Sequence, residues 1–168
     1  MMNDRVMPDP GTQKVTLVIF SGELDKALAG FNIANAAAAM GMEVTMFFTF
    51  WGLNVIRKSR GLSKPKDFAR RLLGWMNPGG SRSLGLSRLH MFGLGTGMMK
   101  NLMRKERMPS LEQLISMAAG QGVHFVACTT SMNMMGLTEG DFIEEVKDFA
   151  GAASFLNEAR QSHVTLFI

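Results

Sequence analysis

Two short runs constrain this chain more than anything else in it: KVTLVIFSG (Lys14–Gly22) and MEVTMFFTFWG (Met42–Gly52). Each is almost continuously apolar, rich in β-branched and aromatic residues, and closed by glycine. A strand with one face in water alternates polar and apolar residues, whereas a strand buried on both faces does not. Both runs therefore read as strands of a parallel sheet covered on its two sides. Between them, LDKALAGFNIANAAAAMG repeats Leu24, Leu28, Phe31, Ala34 and Ala38 at helical spacing, and Gly41 stands where that helix should stop. Strand, helix and strand together have the size of one βαβ crossover, for which a right-handed turn is expected.

From Leu53 to Met108 the pattern breaks. Glycine, proline, methionine and basic residues dominate, and more than fifty residues is too long for a loop. Residues 53–108 are expected to form a basic, Met- and Gly-rich insertion with short helices at FARRLLGWM and MMKNLMRKERM. The α/β pattern resumes at Ser110, whose capping box with Gln113 opens a helix over LEQLISMAAG. VHFVAC (Val123–Cys128) reads as the third strand and HVTLFI (His163–Ile168) as the last. Thr138 with Asp141 signals a second capped helix over FIEEVKDFA, followed by a helix over AASFLNEAR. Strands alternating with helices predict one flavodoxin-like three-layer α/β/α domain over residues 14–168, with a mainly parallel sheet and the insertion between its second and third strands. Residues 1–13 hold early acids and no apolar signal core, and are expected to be a disordered leader.

Charge and cysteine usage narrow the function classes. The net charge is +4. Arg57 to Arg107 holds thirteen Lys/Arg against two acids, a net of +11, and the remainder holds five against twelve, a net of −7. An acidic body carries one basic segment, suited to an acidic partner, a neighbouring copy or the surface of a membrane. Few aromatics are interleaved with those cations, which argues against a nucleic-acid platform. No run has the length and freedom from charge of a membrane span. A single cysteine forms no internal disulfide and fits a reducing, cytoplasmic compartment.

Chemistry in such a sheet gathers at the carboxyl ends of the strands. Three ends matter: Ser21-Gly22, Phe50-Trp51-Gly52 and Cys128-Thr129-Thr130. Cys128 is the sole cysteine, and backbone N–H groups over Thr129, Thr130, Ser131 and Met132 would stabilise its thiolate. Ser21, Gly22, Lys26 and Trp51 are placed to line the same edge. Two readings of Cys128 stand at this point: a reactive thiol, or one more buried apolar residue. The other motifs are thin. GLGTG (Gly93–Gly97) lacks the third glycine of a dinucleotide loop and the Lys-Ser/Thr ending of a phosphate loop. The three histidines have no acid or cysteine at ligand spacing, so neither metal nor cofactor is expected.

FFTFWGL (Phe47–Leu53), the terminal VTLFI and HFVACTTSMNMMG (His124–Gly136) together resemble DsrE/DsrF/DsrH-like proteins, in their DsrE-like branch. The likeness runs from Lys14 to Ile168. It implies a flavodoxin-like domain that forms homo-oligomers and works in sulfur relay. In the family's best-known members a cysteine takes sulfane sulfur as a persulfide and passes it to another protein's thiol; the matching position is Cys128. Some relatives carry a second cysteine and some are membrane-attached, and this sequence shows neither feature. The resemblance thus implies a sulfurtransferase or sulfur carrier with thiol-bearing donor and acceptor proteins, and leaves room for peripheral membrane contact through the basic insertion. Its rivals are a non-catalytic assembly protein with a structural cysteine, and a small-ligand or nucleotide binder on the same fold.

Overall fold

The computed structural model describes residues 13–59, 79–87 and 94–168. The expected leader and the helix at FARRLLGWM lie outside them, apart from Gln13. Five parallel strands form one sheet in the order β4-β3-β2-β1-β5. They are β1 (Lys14–Ile19), β2 (Glu43–Phe48), β3 (His124–Cys128), β4 (Val146–Ala150) and β5 (Val164–Phe167). The helices are α1 (Leu24–Ala39), α2 (Leu94–Lys105), α3 (Leu111–Gly120), α4 (Thr129–Met135) and α5 (Ala152–Ala159).

Alternation along the central strands sorts their side chains between two layers. Leu17, Ile19, Met46, Phe48, Phe125 and Ala127 enter the main core, where α1 and α3 cover them. Phe31 of α1 meets Phe48 and Phe125 with ring centroids 6.1 and 5.7 Å apart. Val18, Phe47, Val126 and Cys128 point to the opposite face, where Phe155 of α5 packs on them. The result is the three-layer α/β/α arrangement, with one face much more heavily covered than the other. The Ser110–Gln113 capping box opens α3, with Gln113 N–H donating to Ser110 Oγ at 3.3 Å and Ser110 N–H to Gln113 Oε1 at 2.8 Å.

Three expectations need correction. FIEEVKDFA is not a helix. The Thr138–Asp141 box closes only a 3-10 turn (Glu139–Asp141), Phe142 and Ile143 fold back against Arg57 and Ile56, and VKDFA becomes the edge strand β4. Tertiary pairing with β3 overrides the local helical pattern; β4 skips Lys147 in its register with β3, leaving a bulge. The second strand stops at Phe48 instead of running to Gly52. Phe50 adopts φ 46°, a left-handed backbone that costs an aromatic residue about 1–3 kcal/mol, and a 3-10 turn (Phe50–Val55) follows. The helix at MMKNLMRKERM begins earlier, so that Leu94 to Gly97 of GLGTG form its first turn.

That turn after β2 presses against the end of β1. A Cβ on Gly52 would lie 1.9 Å from the carbonyl oxygen of Ile19. The amide of Thr49 donates to Ile19 O at 3.0 Å and that of Gly52 to Phe20 O at 2.8 Å. Leu53, Val55 and Ile56 then run straight into the core.

Candidate functional site

Sheet register explains how the site is assembled. Phe48 pairs with Ala127, so the next residues, Thr49 and Cys128, emerge side by side at the carboxyl edge. Cys128 ends β3 and immediately precedes α4, which Gly136 terminates in the left-handed conformation at φ 68°. Ser131, one turn into α4, is buried with 2 % exposure, and its Oγ lies 2.8 Å from Oγ1 of half-buried Thr49. Two chain segments from neighbouring strand ends are thus tied together by a pair of hydroxyls.

Cys128 is 5 % exposed and clusters with Val18, Phe47, Val126 and Phe155. Burial pushes its thiol pKa up, because a desolvated thiolate is costly. Hydrogen bonding from the Ser131 amide, from the paired hydroxyls of Ser131 and Thr49 and from the Thr130 amide more than offsets that cost, and the thiol ends below its ordinary range. The surroundings combine an apolar cover with a polar cradle made of neutral donors.

The candidate residues divide into two groups. Cys128, Thr130 and Ser131 come together. Thr129 sits beside Gly151 at half burial, and the Met132 side chain enters the main core on the other face of the sheet. Ser21, Gly22, Lys26 and Trp51 gather in a separate groove of about 360 Å³ at the end of β1, with Phe20, Glu23 and Asn54. Two strand spacings, about 10 Å, separate β1 from β3. In that groove Ser21 Oγ donates to Glu23 at 2.7 Å, and Lys26 pairs with the same carboxylate at 2.5 Å. Lys26 is therefore engaged away from the cysteine, while Trp51 stands 43 % exposed. Asp25, next to Lys26, accepts from the amide and hydroxyl of Ser87 and anchors that segment to α1.

Thr49 is the residue of this cluster that periodicity did not reveal. Its signal lies in the pairing of β2 with β3, which only the sheet order supplies. A cavity of about 490 Å³ on the same face shares Phe47, Val126 and Phe155 with the cysteine's surroundings. Its rim is charged: Lys14 bridges Glu43 at 3.0 Å and Glu158 at 3.5 Å, and His124 faces Asp148 at 3.8 Å. Among the described residues, no three His, Cys, Asp or Glu side chains converge as metal ligands would. No helix among them is long and apolar enough to cross a membrane.

Comparison with known proteins gives a consistent result. A family model described as the DsrE/DsrF/DrsH-like family matches residues 11–167. The uncharacterized protein YrkE of Bacillus subtilis is 45% identical over 157 residues, covering 94% of this chain and 98% of that protein. The sulfur carrier protein DsrE2 of Allochromatium vinosum is 32% identical over 165 residues, covering 93% and 98%. Among solved structures, the ychN protein from E. coli aligns with a TM-score of 0.55 at 9% identity, over 93% of this chain and 99% of that one. MTH1491 from Methanobacterium thermoautotrophicum aligns with a TM-score of 0.53 at 15% identity, over 92% and 98%. Those two likenesses speak to the fold.

Proposed function

This chain belongs to the DsrE/DsrF/DrsH-like family, and from that premise we propose that it is a sulfur-relay protein whose Cys128 carries one sulfane sulfur between partner thiols. The observation that supports this reading is the polar cradle of Cys128: a buried thiol whose hydrogen-bond donors hold its pKa below the ordinary range. A cysteine that served only as packing needs no such donors. The thiolate is the attacking form in sulfur transfer.

The chemistry is a pair of displacements. The Cys128 thiolate attacks the outer sulfur of a donor persulfide, R–S–SH. A bond forms between Sγ and that sulfur, the donor's S–S bond breaks, and R–S⁻ leaves. An acceptor thiolate then attacks the same outer sulfur, and the electron pair of the breaking bond returns to Cys128. No net redox change occurs and no second cysteine is required. Donor and acceptor are proteins that present reactive thiols, and the exchange belongs in a compartment that keeps thiols reduced, such as the cytoplasm.

Self-association is part of the same proposal. Among the described residues β5 has a strand neighbour on one side only, and its Val164 and Phe167 are exposed. An unprotected apolar edge of this kind favours pairing with another copy.

The competing reading, an assembly protein with a structural cysteine, is favoured by one observation: the 5 % exposure of Cys128. Two measurements decide between them. Incubation of the folded protein with glutathione persulfide, followed by intact mass measurement, is expected to show one added sulfur, absent in Cys128→Ser. Iodoacetamide is expected to label Cys128 in the native protein. Labelling only after unfolding, with no sulfur gained, would leave the structural reading standing.

A further inference from the structure

Resting on the sulfur-carrier reading, we infer that Thr49 is a catalytic residue: its hydroxyl, fixed beside the Cys128 sulfur by the strained turn after β2, stabilises that sulfur as the leaving thiolate when sulfur is handed on.

Geometry carries the argument. The pairing of Phe48 with Ala127 sets Thr49 beside Cys128, across two segments about eighty residues apart. Position alone would leave the side chain free to turn away, but the backbone around it is tied down. The Thr49 amide is bonded to Ile19 O at 3.0 Å, and its carbonyl accepts from the Gly52 amide at 2.9 Å. Between these anchors Phe50 is held at φ 46°, and Gly52 leaves no room for even a methyl group against Ile19. Strain of this sort persists where the surroundings over-determine a conformation, and it gathers at functional sites. The strained residue here is the immediate neighbour of Thr49, whose hydroxyl is held 2.8 Å from that of Ser131 at the end of the cysteine's strand.

Proton bookkeeping gives that hydroxyl a definite task. Thr49 and Ser131 each own one O–H proton, and their oxygens are 2.8 Å apart. One hydroxyl donates to the other, which leaves a single hydroxyl proton for the sulfur, delivered directly or through the neighbour. Ser131 is sealed, whereas half-buried Thr49 is the member of the pair that meets solvent. When sealed Ser131 donates to Thr49, the proton left for the sulfur is that of Thr49, the member of the pair that an incoming acceptor thiol can approach.

The two half-reactions feel this hydroxyl differently. In loading, the thiolate attacks, and a hydrogen bond that lowers its basicity also blunts its nucleophilicity, so the effects of more thiolate and weaker attack partly cancel. In unloading, the Sγ–S bond breaks toward Cys128, negative charge grows on Sγ, and the donor is needed at that moment. Removal of the Thr49 hydroxyl should slow unloading more than loading.

The test uses the full chain as wild type, Thr49→Val and Thr49→Ser. Thr49→Ser keeps the hydroxyl and serves as the rescue. Protein loaded from glutathione persulfide is mixed with dithiothreitol, and the loss of the added sulfur is followed by quenched intact mass. Thr49→Val is expected to unload about tenfold more slowly while loading changes less than about threefold, and its iodoacetamide midpoint should rise by about one pH unit. Thr49→Ser should track the wild type in all three. Equal rates and an unshifted midpoint in Thr49→Val would overturn the assignment, as would Thr49→Ser failing together with Thr49→Val in a fold of wild-type stability. If the wild type itself takes up no sulfur, the carrier reading falls separately; an unshifted midpoint would then also remove Thr49 from the thiolate's surroundings, and a shifted one would keep it there.

Discussion

Cys128 links ionisation to folding in a direction that can be worked out. Its folded pKa lies below the ordinary thiol value of about 8.5, because the Ser131, Thr49 and Thr130 donors outweigh desolvation. The unfolded chain binds this proton more tightly than the folded one, so the thiolate's stabilisation is complete above the unfolded value. It is lost as pH falls through the folded value. Relative to Cys128→Ser, the wild type is therefore expected to gain stability as pH rises toward about 8.5–9, and no more beyond. Urea unfolding of both proteins across that range checks it; parallel curves would contradict the lowered pKa. At this scale the sequence was informative about Cys128 and nearly silent about Thr49. The end of an apolar run locates the cysteine by local pattern alone. The threonine matters only through its strand-to-strand neighbour, and no periodicity within FFTFWG encodes that.

Among the elements, the turn after β2 shows most directly how packing overrides pattern. MEVTMFFTFWG is apolar throughout, so nothing in its composition marks where the strand must end. What ends it is the close approach of Gly52 to Ile19 O, a contact between backbones. Gly52→Ala would push a methyl group 1.9 Å from that oxygen, and is expected to cost more than about 3 kcal/mol in urea unfolding or to prevent folding. The cause is space, since Gly52 is not among the glycines with positive φ. β4 gives the opposite lesson. FIEEVKDFA satisfies a helical pattern after a genuine capping box, yet Val146, on the α1/α3 side with Phe125, is buried and the strand completes the sheet edge. The capping signal was legible; the length of what it capped was decided by Ile56 and Arg57, far away in sequence.

Seen whole, the molecule has unequal faces. α1 and α3 seal one side of the sheet, while α5, with no fully buried residue, covers the other. The alternation of strand and helix made the α/β order readable in advance, because burial on both faces imposes it. Which face would be thinly covered was not readable, since that depends on where α5 lands. If self-association uses the β5 edge, Phe167, 71 % exposed, is at its centre. Sedimentation velocity is expected to find an assembly larger than a monomer, and Phe167→Lys is expected to shift it toward monomer with stability changed by less than about 1 kcal/mol. An unchanged sedimentation profile for the variant would move the interface elsewhere.

The place of β5 beside β1 also has a consequence for the chain while it is being made. Val15 pairs with Val164, and the amide of Phe20 waits for the carbonyl of Ile168. During synthesis at about 5–20 residues per second, β1 leaves the ribosome with one side unmatched for roughly seven to thirty seconds before its last neighbour exists. Through that interval one of the first strands to emerge presents a bare apolar ribbon to the crowded space around it, and a nascent chain so exposed is a natural client for the factors that shield growing polypeptides.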